Sequence, residues 1–338
     1  MKIISSKTKL PKIRGKSLKW GVVGCGRYLE NNFLPTLDII KRSKLISVYS
    51  SKIERAKNIA EKFAAITAFD NYDEFLKSDI NAIYISSENY FHPEQVIKAA
   101  ENGKHILCEK PIAINYSDAE KMINTCKKNN VNFFVNYRFR YHPLVKKAKE
   151  IFDNGKIGKL IQINSTYCLD ISPSTNFRFK KSKSGGGAMI MLGTHLLDIL
   201  FHFGGEYTDF YGYSDNVVYK SEVEDFATAH LKFKKGGFGC LTTSYNATKA
   251  FNKIEIIGHN GSLVLNGLFS DSDHVTLTIN FEGEAKKTFR KKANEQAVLI
   301  KGFQNNILKQ NVPTIEYSAL MNVKFIEEFY KKTLNTEN

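Results

Sequence analysis

The sequence contains no CxxC pair. Its five cysteines, Cys25, Cys108, Cys126, Cys168 and Cys240, are scattered and odd in number, which speaks against a disulfide framework or a zinc module and fits a reducing compartment. No run of about 18 apolar residues is expected to span a bilayer, and the first 19 residues lack the apolar core of a signal peptide. Internal repeats, low-complexity tracts and long Pro/Ser linkers are also missing. The expectation is a soluble, cytoplasmic protein. Acids are absent from residues 1–19, where Lys2, Lys7, Lys9, Lys12, Arg14, Lys16 and Lys19 supply seven positive charges.

What is present reads as globular. A chain of 338 residues favours two domains, each able to bury its own core. Hydrophobic residues at 42% and charged residues at 25% set aside disorder, collagen and coiled coil. Lysine and arginine, 49 against 34 acids, give a net charge of +15. That balance alone would suit nucleic acid, an anionic membrane or a phosphorylated ligand. The leader, however, has neither interleaved aromatics nor an amphipathic period, so residues 1–17 are expected to be a flexible basic arm that anchors neither nucleic acid nor membrane.

From Leu18 to His142, short apolar runs at 18–23, 45–49, 82–86, 105–108 and 132–136 alternate with amphipathic stretches at 53–64, 93–102 and 117–129. Strict alternation implies parallel strands joined by right-handed crossovers, hence a doubly wound α/β sheet over residues 18–142. After Pro143 the pattern changes to one helix at 143–153 and β-rich runs at 158–169, 207–213, 226–233, 237–245, 253–258, 261–265 and 274–280. A helix at 188–203 interrupts them and another, 316–334, closes the chain. Residues 143–338 are therefore expected to form an α+β domain on a large, open, mostly antiparallel sheet.

The first strand runs into Gly24-Cys25-Gly26-Arg27-Tyr28-Leu29. A GxG at such a junction lets the backbone turn sharply and brings a pyrophosphate to a helix N-terminus, whose free amides and dipole favour negative charge. Leu29 stands where a third small residue is usual, and is expected to push helix and strand slightly apart. At the end of the second strand, Ser50, Ser51, Lys52 and Arg55 replace the acid that normally bonds the ribose of NAD. Hydroxyls and cations suit a 2′-phosphate, so NADP is favoured, with NAD left open. Ser86, Ser87, Glu88, Asn89 and His92 follow one strand, and Glu109 and Lys110 follow the next, at the carboxyl edge where such sheets bind ligands. Lys110, fixed by Pro111, could exchange a proton with a substrate hydroxyl.

With Trp20 to Gly26, Glu109-Lys110-Pro111, Asn136 to Pro143, Gly185-Gly186-Gly187-Ala188 and Gly193-Thr194-His195-Leu196-Leu197-Asp198, the chain resembles the glucose-fructose oxidoreductase/inositol dehydrogenase/rhizopine catabolism family (Gfo/Idh/MocA) from about Leu18 to Tyr330. The resemblance implies an N-terminal Rossmann domain and hydride transfer between NAD(P) and a secondary alcohol or ketone of a sugar, cyclitol or sugar nucleotide. It also implies a homodimer or homotetramer formed through the C-terminal sheet. Carried onto this sequence, the catalytic residues are Lys110 and His195. The cofactor contacts are Gly24, Cys25, Gly26, Arg27, Tyr28, Ser50, Ser51, Lys52, Arg55, Ser86, Ser87, Glu88, Asn89, His92, Glu109, Lys110, Asn136 and Arg138. The substrate contacts are Lys110, Arg138, Arg178, Met191, Thr194 and His195.

Two departures bear on the chemistry. The family usually has Asp four residues before the histidine; here it is Met191, whose thioether cannot relay a proton. His195 as general base with Lys110 holding the oxygen would still suffice. A Trp-Arg pair is replaced by Phe177-Arg178, and Lys180, Lys181 and Lys183 follow, suggesting an anionic substrate. The triple glycine is expected to let a ligand approach the backbone. Asp198 could orient His195 or serve as a structural partner. His195, Asp198 and His202 share a helix face without a supporting carboxylate or thiolate cluster, so no metal is expected. The alternatives are a non-catalytic dinucleotide-binding regulator and an NAD-assisted glycoside hydrolase of the same fold.

Overall fold

The computed structural model describes residues 17–247, 250, 252–269 and 274–334. The basic leader expected over 1–17 lies, apart from Ser17, outside the described residues. Two compact units are present. The first takes the described residues through Ile112, Ser117–Asn136 and Leu299–Tyr317; the second takes Ala113–Tyr116, Tyr137–Val298 and the described residues from Ser318 onward.

The first unit is built on six strands, β1 (Leu18–Val23), β2 (Ser43–Tyr49), β3 (Thr67–Phe69), β4 (Ala82–Ile85), β5 (His105–Cys108) and β6 (Phe133–Val135). Their order is β3-β2-β1-β4-β5-β6 and every pairing is parallel, the doubly wound arrangement the alternation implied. Strands β4, β5 and β6 are buried along their whole length, which is why they read as continuous apolar runs. Trp20 is fully buried against Phe33 and Phe303, and its indole donates to Ser43 Oγ at 3.2 Å. Phe303 arrives from the helix Glu295–Leu308, and Thr314 N donates to Asn132 Oδ1 at 2.9 Å, so a late stretch of chain completes this core. That helix and β3 carry no strong periodic signal.

The second unit has eight strands: β7 (Leu160–Cys168), β8 (Tyr207–Asp215), β9 (Phe226–Phe233), β10 (Phe238–Ser244), β11 (Lys253–Gly258), β12 (Gly261–Asn266), β13 (Val275–Phe281) and β14 (Lys287–Lys291). The order is β14-β13-β12-β11-β7-β10-β9-β8, antiparallel throughout except for β7 with β10. Burial alternates along β9 and β11, so one face meets the core. That face packs on the segment Met189–Gly204, a π-helical turn (Met189–Gly193) continuing into the α-helix Thr194–Gly204. Lys181–Gly204 is the one segment among the described residues long and apolar enough by composition to cross a membrane, and it is mostly buried. Its apolarity is that of a core helix.

Candidate functional site

In the first unit the glycine turn follows β1 directly. Gly24 has φ +87°, and a Cβ there would lie 2.7 Å from Ser87 N and 2.8 Å from Ser86 O, so only glycine fits. Ser86 Oγ donates to Val23 O at 3.1 Å and Gly24 O at 3.2 Å, tying the turn to the end of β4. Gly26 is different: a Cβ there would meet nothing within 4 Å. The helical hydrogen bonding starts at once, with Glu30 N donating to Gly26 O at 3.2 Å. Leu29 is fully buried and opens a π-helical turn, Leu29–Phe33.

Cys25 is half-buried, and burial pushes its thiol up to about 11, against the opposing influence of Ser50 and Arg55. It is an unreactive thiol. The same interactions place Ser50 and Arg55 beside the turn. Ser50 is itself buried, its Oγ accepting from Lys52 N at 3.3 Å, whereas Arg27, Ser51, Lys52 and Arg55 are exposed.

At the other end of the edge, Glu109 is a hub. Its Oε1 accepts from Tyr84 Oη and Asn136 Nδ2, and its Oε2 from Lys110 N at 3.3 Å. Asn136 Nδ2 also donates to Tyr28 Oη at 3.4 Å. Asn136 Oδ1 is buried with no hydrogen-bond partner. His92 is wholly buried, with Nδ1 2.9 Å from Pro111 O and Nε2 3.1 Å from Ser87 O. It ties the Lys110 turn to the Ser87 turn with both ring nitrogens, so its place is structural rather than on a ligand. Burial lowers its pKa, opposed by the two carbonyls. Ser87 Oγ is likewise turned inward, onto Gln95 Oε1 at 2.6 Å, and Asn89 is buried; Glu88 stands at the cap of the short turn Asn89–Phe91. The open space over Gly26, the helix-start amides, the exposed cations and the unsatisfied Asn136 Oδ1 fit a bound dinucleotide.

The second unit holds the other candidates. Arg138 and Phe139 lie on the turn Arg138–Tyr141. The Arg138 guanidinium sits 4.7 Å over the Phe139 ring and 3.4 Å from Glu295 Oε1. Phe139 meets the half-buried His195 ring edge-on at 4.8 Å, Tyr167 lies 6.2 Å from the same ring, and Phe269 packs against both aromatics. His195 is therefore oriented by an aromatic wall. Asp198 is buried, and Arg140 binds both its oxygens, Nε donating at 3.0 Å and Nη2 more closely. Of the two roles open to it, the structural partner is the one seen, with Arg140 rather than a strand. Arg140 also donates to Ser318 Oγ at 3.1 Å. Burial chiefly lowers His202 to about 4, and no group of three or more metal-binding side chains exists among the described residues. Thr194 is 1% exposed and its Oγ1 has no hydrogen-bond partner. Met191 is partly buried against the core. Arg178 donates to Asn176 Oδ1 at 3.3 Å, and Lys180 pairs with Glu222 at 2.7 Å.

The triple glycine serves a different purpose from the one expected. A Cβ on Gly185 would strike Ile114 at 2.9 Å, one on Gly186 would lie 2.0 Å from Tyr330 Oη, and one on Gly187 1.9 Å from Glu224 O. These glycines admit protein groups rather than a ligand. Glu224, Glu295, Tyr167 and Phe269 were not legible as site residues: Glu295 opens a late helix and the others lie in strand-rich stretches, all far in sequence from the groups they touch.

A parallel, doubly wound unit with a phosphate-type glycine turn, joined in one chain to a unit built on an open antiparallel sheet, defines a two-domain dinucleotide-binding class. Residues 18–137 match the model of the oxidoreductase family with an NAD-binding Rossmann fold, and residues 145–264 match the GFO/IDH/MocA C-terminal domain. The chain belongs to the Gfo/Idh/MocA family. It is 28% identical over 248 residues to a levoglucosan dehydrogenase of Pseudarthrobacter phenanthrenivorans, an alignment covering 63% of this chain and 62% of the relative. The chain thus spans about three-fifths of that protein. It is 27% identical over 253 residues to a myo-inositol 2-dehydrogenase of Thermotoga maritima, covering 73% of this chain and 74% of the relative. In fold it resembles a 3-ketoreductase from Actinomadura kijaniata solved with NADP and TDP-benzene, with a TM-score of 0.82, 21% identity, and coverage of 93% of this chain and 97% of the other.

Proposed function

We propose that the chain is an NAD(P)-dependent oxidoreductase acting on a CH–OH group of a sugar, cyclitol or sugar nucleotide, with Lys110 and His195 handling the proton. The observation that carries this reading is the Gly26 turn, open where a phosphate would lie, on the unit that also holds Lys110 beside the Glu109 hub. When bound, the nicotinamide supplies or accepts the hydride. Cys25, Gly26, Arg27 and Tyr28 would hold the pyrophosphate through main-chain amides, while Gly24, whose N–H is given to Tyr49 O at 3.1 Å, makes the turn that presents them. Ser51, Lys52 and Arg55, all exposed, would hold a 2′-phosphate and favour NADP over NAD. Asn136 Oδ1 would gain the hydrogen bond it lacks.

In the oxidative direction Lys110 holds the substrate oxygen through its ammonium, and His195 takes the hydroxyl proton on its neutral imidazole. Met191 contributes contact but no proton transfer. Thr194 Oγ1 would bond a substrate hydroxyl. Lys180 and Arg138 are each paired with a carboxylate, so an anionic substrate group would rest mainly on Arg178. The open sheet face is proposed to pair with a second copy of the chain, which sedimentation would read directly.

The relatives named as levoglucosan and myo-inositol dehydrogenases suggest the panel. Absorbance at about 340 nm is followed with NADP⁺ and NAD⁺ against levoglucosan, myo-inositol and a set of aldoses, and with NADPH against keto-sugars. Turnover with at least one member, faster with NADP(H), is expected. Tight cofactor binding with no turnover across the panel would overturn the reading.

A further inference from the structure

Three consecutive amides at the start of the buried helix are all received by one residue. Glu224 Oε2 accepts from Gly187 N at 2.9 Å, its main-chain oxygen accepts from Ala188 N at 3.0 Å, and its Oε1 accepts from Met189 N at 2.9 Å. Tyr330 Oη, from the helix Ser318–Leu334, donates to the same Oε1 at 2.7 Å. These amides open the helix and have no partner within it, and an anion there is favoured by the helix dipole. Burial pushes the Glu224 carboxyl up, and the bonds it accepts from Tyr330, Met189 and Gly187, with one from its own main-chain N–H, oppose that shift. Tyr245 Oη adds a bond to Gly187 O at 3.0 Å. The glycines at 186 and 187 leave room for Tyr330 and Glu224 and for nothing larger than hydrogen.

The same helix carries Met191, Thr194 and His195, the last about one and a half turns beyond Met189. Its start therefore has one fixed position along its axis, set by a carboxylate from the residue before Asp225, while Asp225 in turn receives Val217 N, Val218 N and Tyr219 N. We propose that Glu224 is a positioning residue for His195, holding the helix in the axial and rotational register that presents the imidazole to substrate. The inference rests on the reading of His195 given above. A carboxylate is needed because both oxygens accept; a glutamine would turn an amide donor onto Gly187 N.

The test uses the full chain saturated with NADP⁺, labelled at the histidine ring carbons. The resonance lost in His195→Ala identifies His195. In Glu224→Gln that resonance is expected to move while that of His105, in the first unit, stays. With the best substrate of the panel above, kcat should fall about 10- to 100-fold, the cost of a small misplacement. KM, and NADPH affinity read by energy transfer from Trp20, the single tryptophan, should hold within about twofold. In a His195→Ala background Glu224→Gln should cost nothing further, since the two act as a unit. Tyr330→Phe, which removes one donor and leaves the amide bonds, should move the same resonance less, and serves if the glutamine variant does not fold. An unmoved His195 resonance in folded variants, or an equal loss of kcat in both backgrounds, would overturn the inference. Full turnover by His195→Ala would instead overturn the proton-handling reading, and the resonance alone would then decide the positioning.

Discussion

Three glycines in this chain have three different reasons to be glycine, and substitution separates them. Gly24 is required by its positive φ and by the backbone of Ser86 and Ser87; Gly187 by the carbonyl of Glu224; Gly26 by nothing in the protein. Gly187→Ala is therefore expected to cost at least about 3 kcal/mol in urea unfolding, because neither colliding backbone can yield without moving an element. Gly26→Ala should leave stability within about 0.5 kcal/mol and weaken NADPH binding instead, as titration of Trp20 fluorescence would show. Equal effects on folding at the two positions would contradict the assignment of Gly26 to a ligand. Thr194 offers a complementary case. Its buried hydroxyl is unsatisfied, so Thr194→Val should raise stability by about 1 kcal/mol while raising KM if the hydroxyl is kept for substrate. A variant less stable than the parent would show that the hydroxyl serves the fold.

At the scale of elements, two of the departures from the family pattern lie in the two π-helical turns among the described residues, Leu29 opening Leu29–Phe33 and Met191 within Met189–Gly193. No local sequence signal announced either. Periodicity was sufficient for strands such as β9 and β11 and for the helix Pro143–Asp153, because one buried face imposes a regular pattern. It failed for β14, whose five residues are all exposed, and for Glu295–Leu308, whose buried stripe includes the polar Gln296 and Gln304. The site was legible where chemistry is local, as at Gly24, Gly26 and Lys110. It was illegible where partners are distant: the Arg140 that takes Asp198, the Glu295 that takes Arg138, the Glu224 that takes Gly187. The helix Ile53–Lys62 yields a test of cofactor choice. Arg55→Glu is expected to lower the NADPH over NADH preference by about tenfold or more, some 1.4 kcal/mol; an unchanged preference would remove Arg55 from the phosphate site.

For the whole molecule, buried histidines set the acid limit. His105 and His142 are 4% and 1% exposed, and burial chiefly lowers each to about 4; both accept a main-chain N–H, from Asn132 and Leu144. Each is neutral in the fold and takes a proton first in the unfolded chain, near pH 6.5. Stability should thus be full above about pH 6.5 and fall as pH drops toward 4, by on the order of 3 kcal/mol for His105 alone. His105→Asn should flatten that slope in thermal unfolding followed between about pH 7.5 and 4.5; a slope unchanged by the substitution would place the acid sensitivity elsewhere. Charge, too, is resolved differently from the raw excess: Arg138, Arg140 and Lys180 are each matched by a carboxylate, while Arg27, Lys52 and Arg55 stand exposed around the glycine turn. The central claim is that one unit holds the cofactor and that Lys110 and His195 move the proton. Turnover of Lys110→Ala and His195→Ala, measured alongside NADPH affinity, tests it most directly. Losses in kcat of about 100-fold or more with affinity nearly unchanged are expected; turnover equal to the parent in either variant would contradict the account.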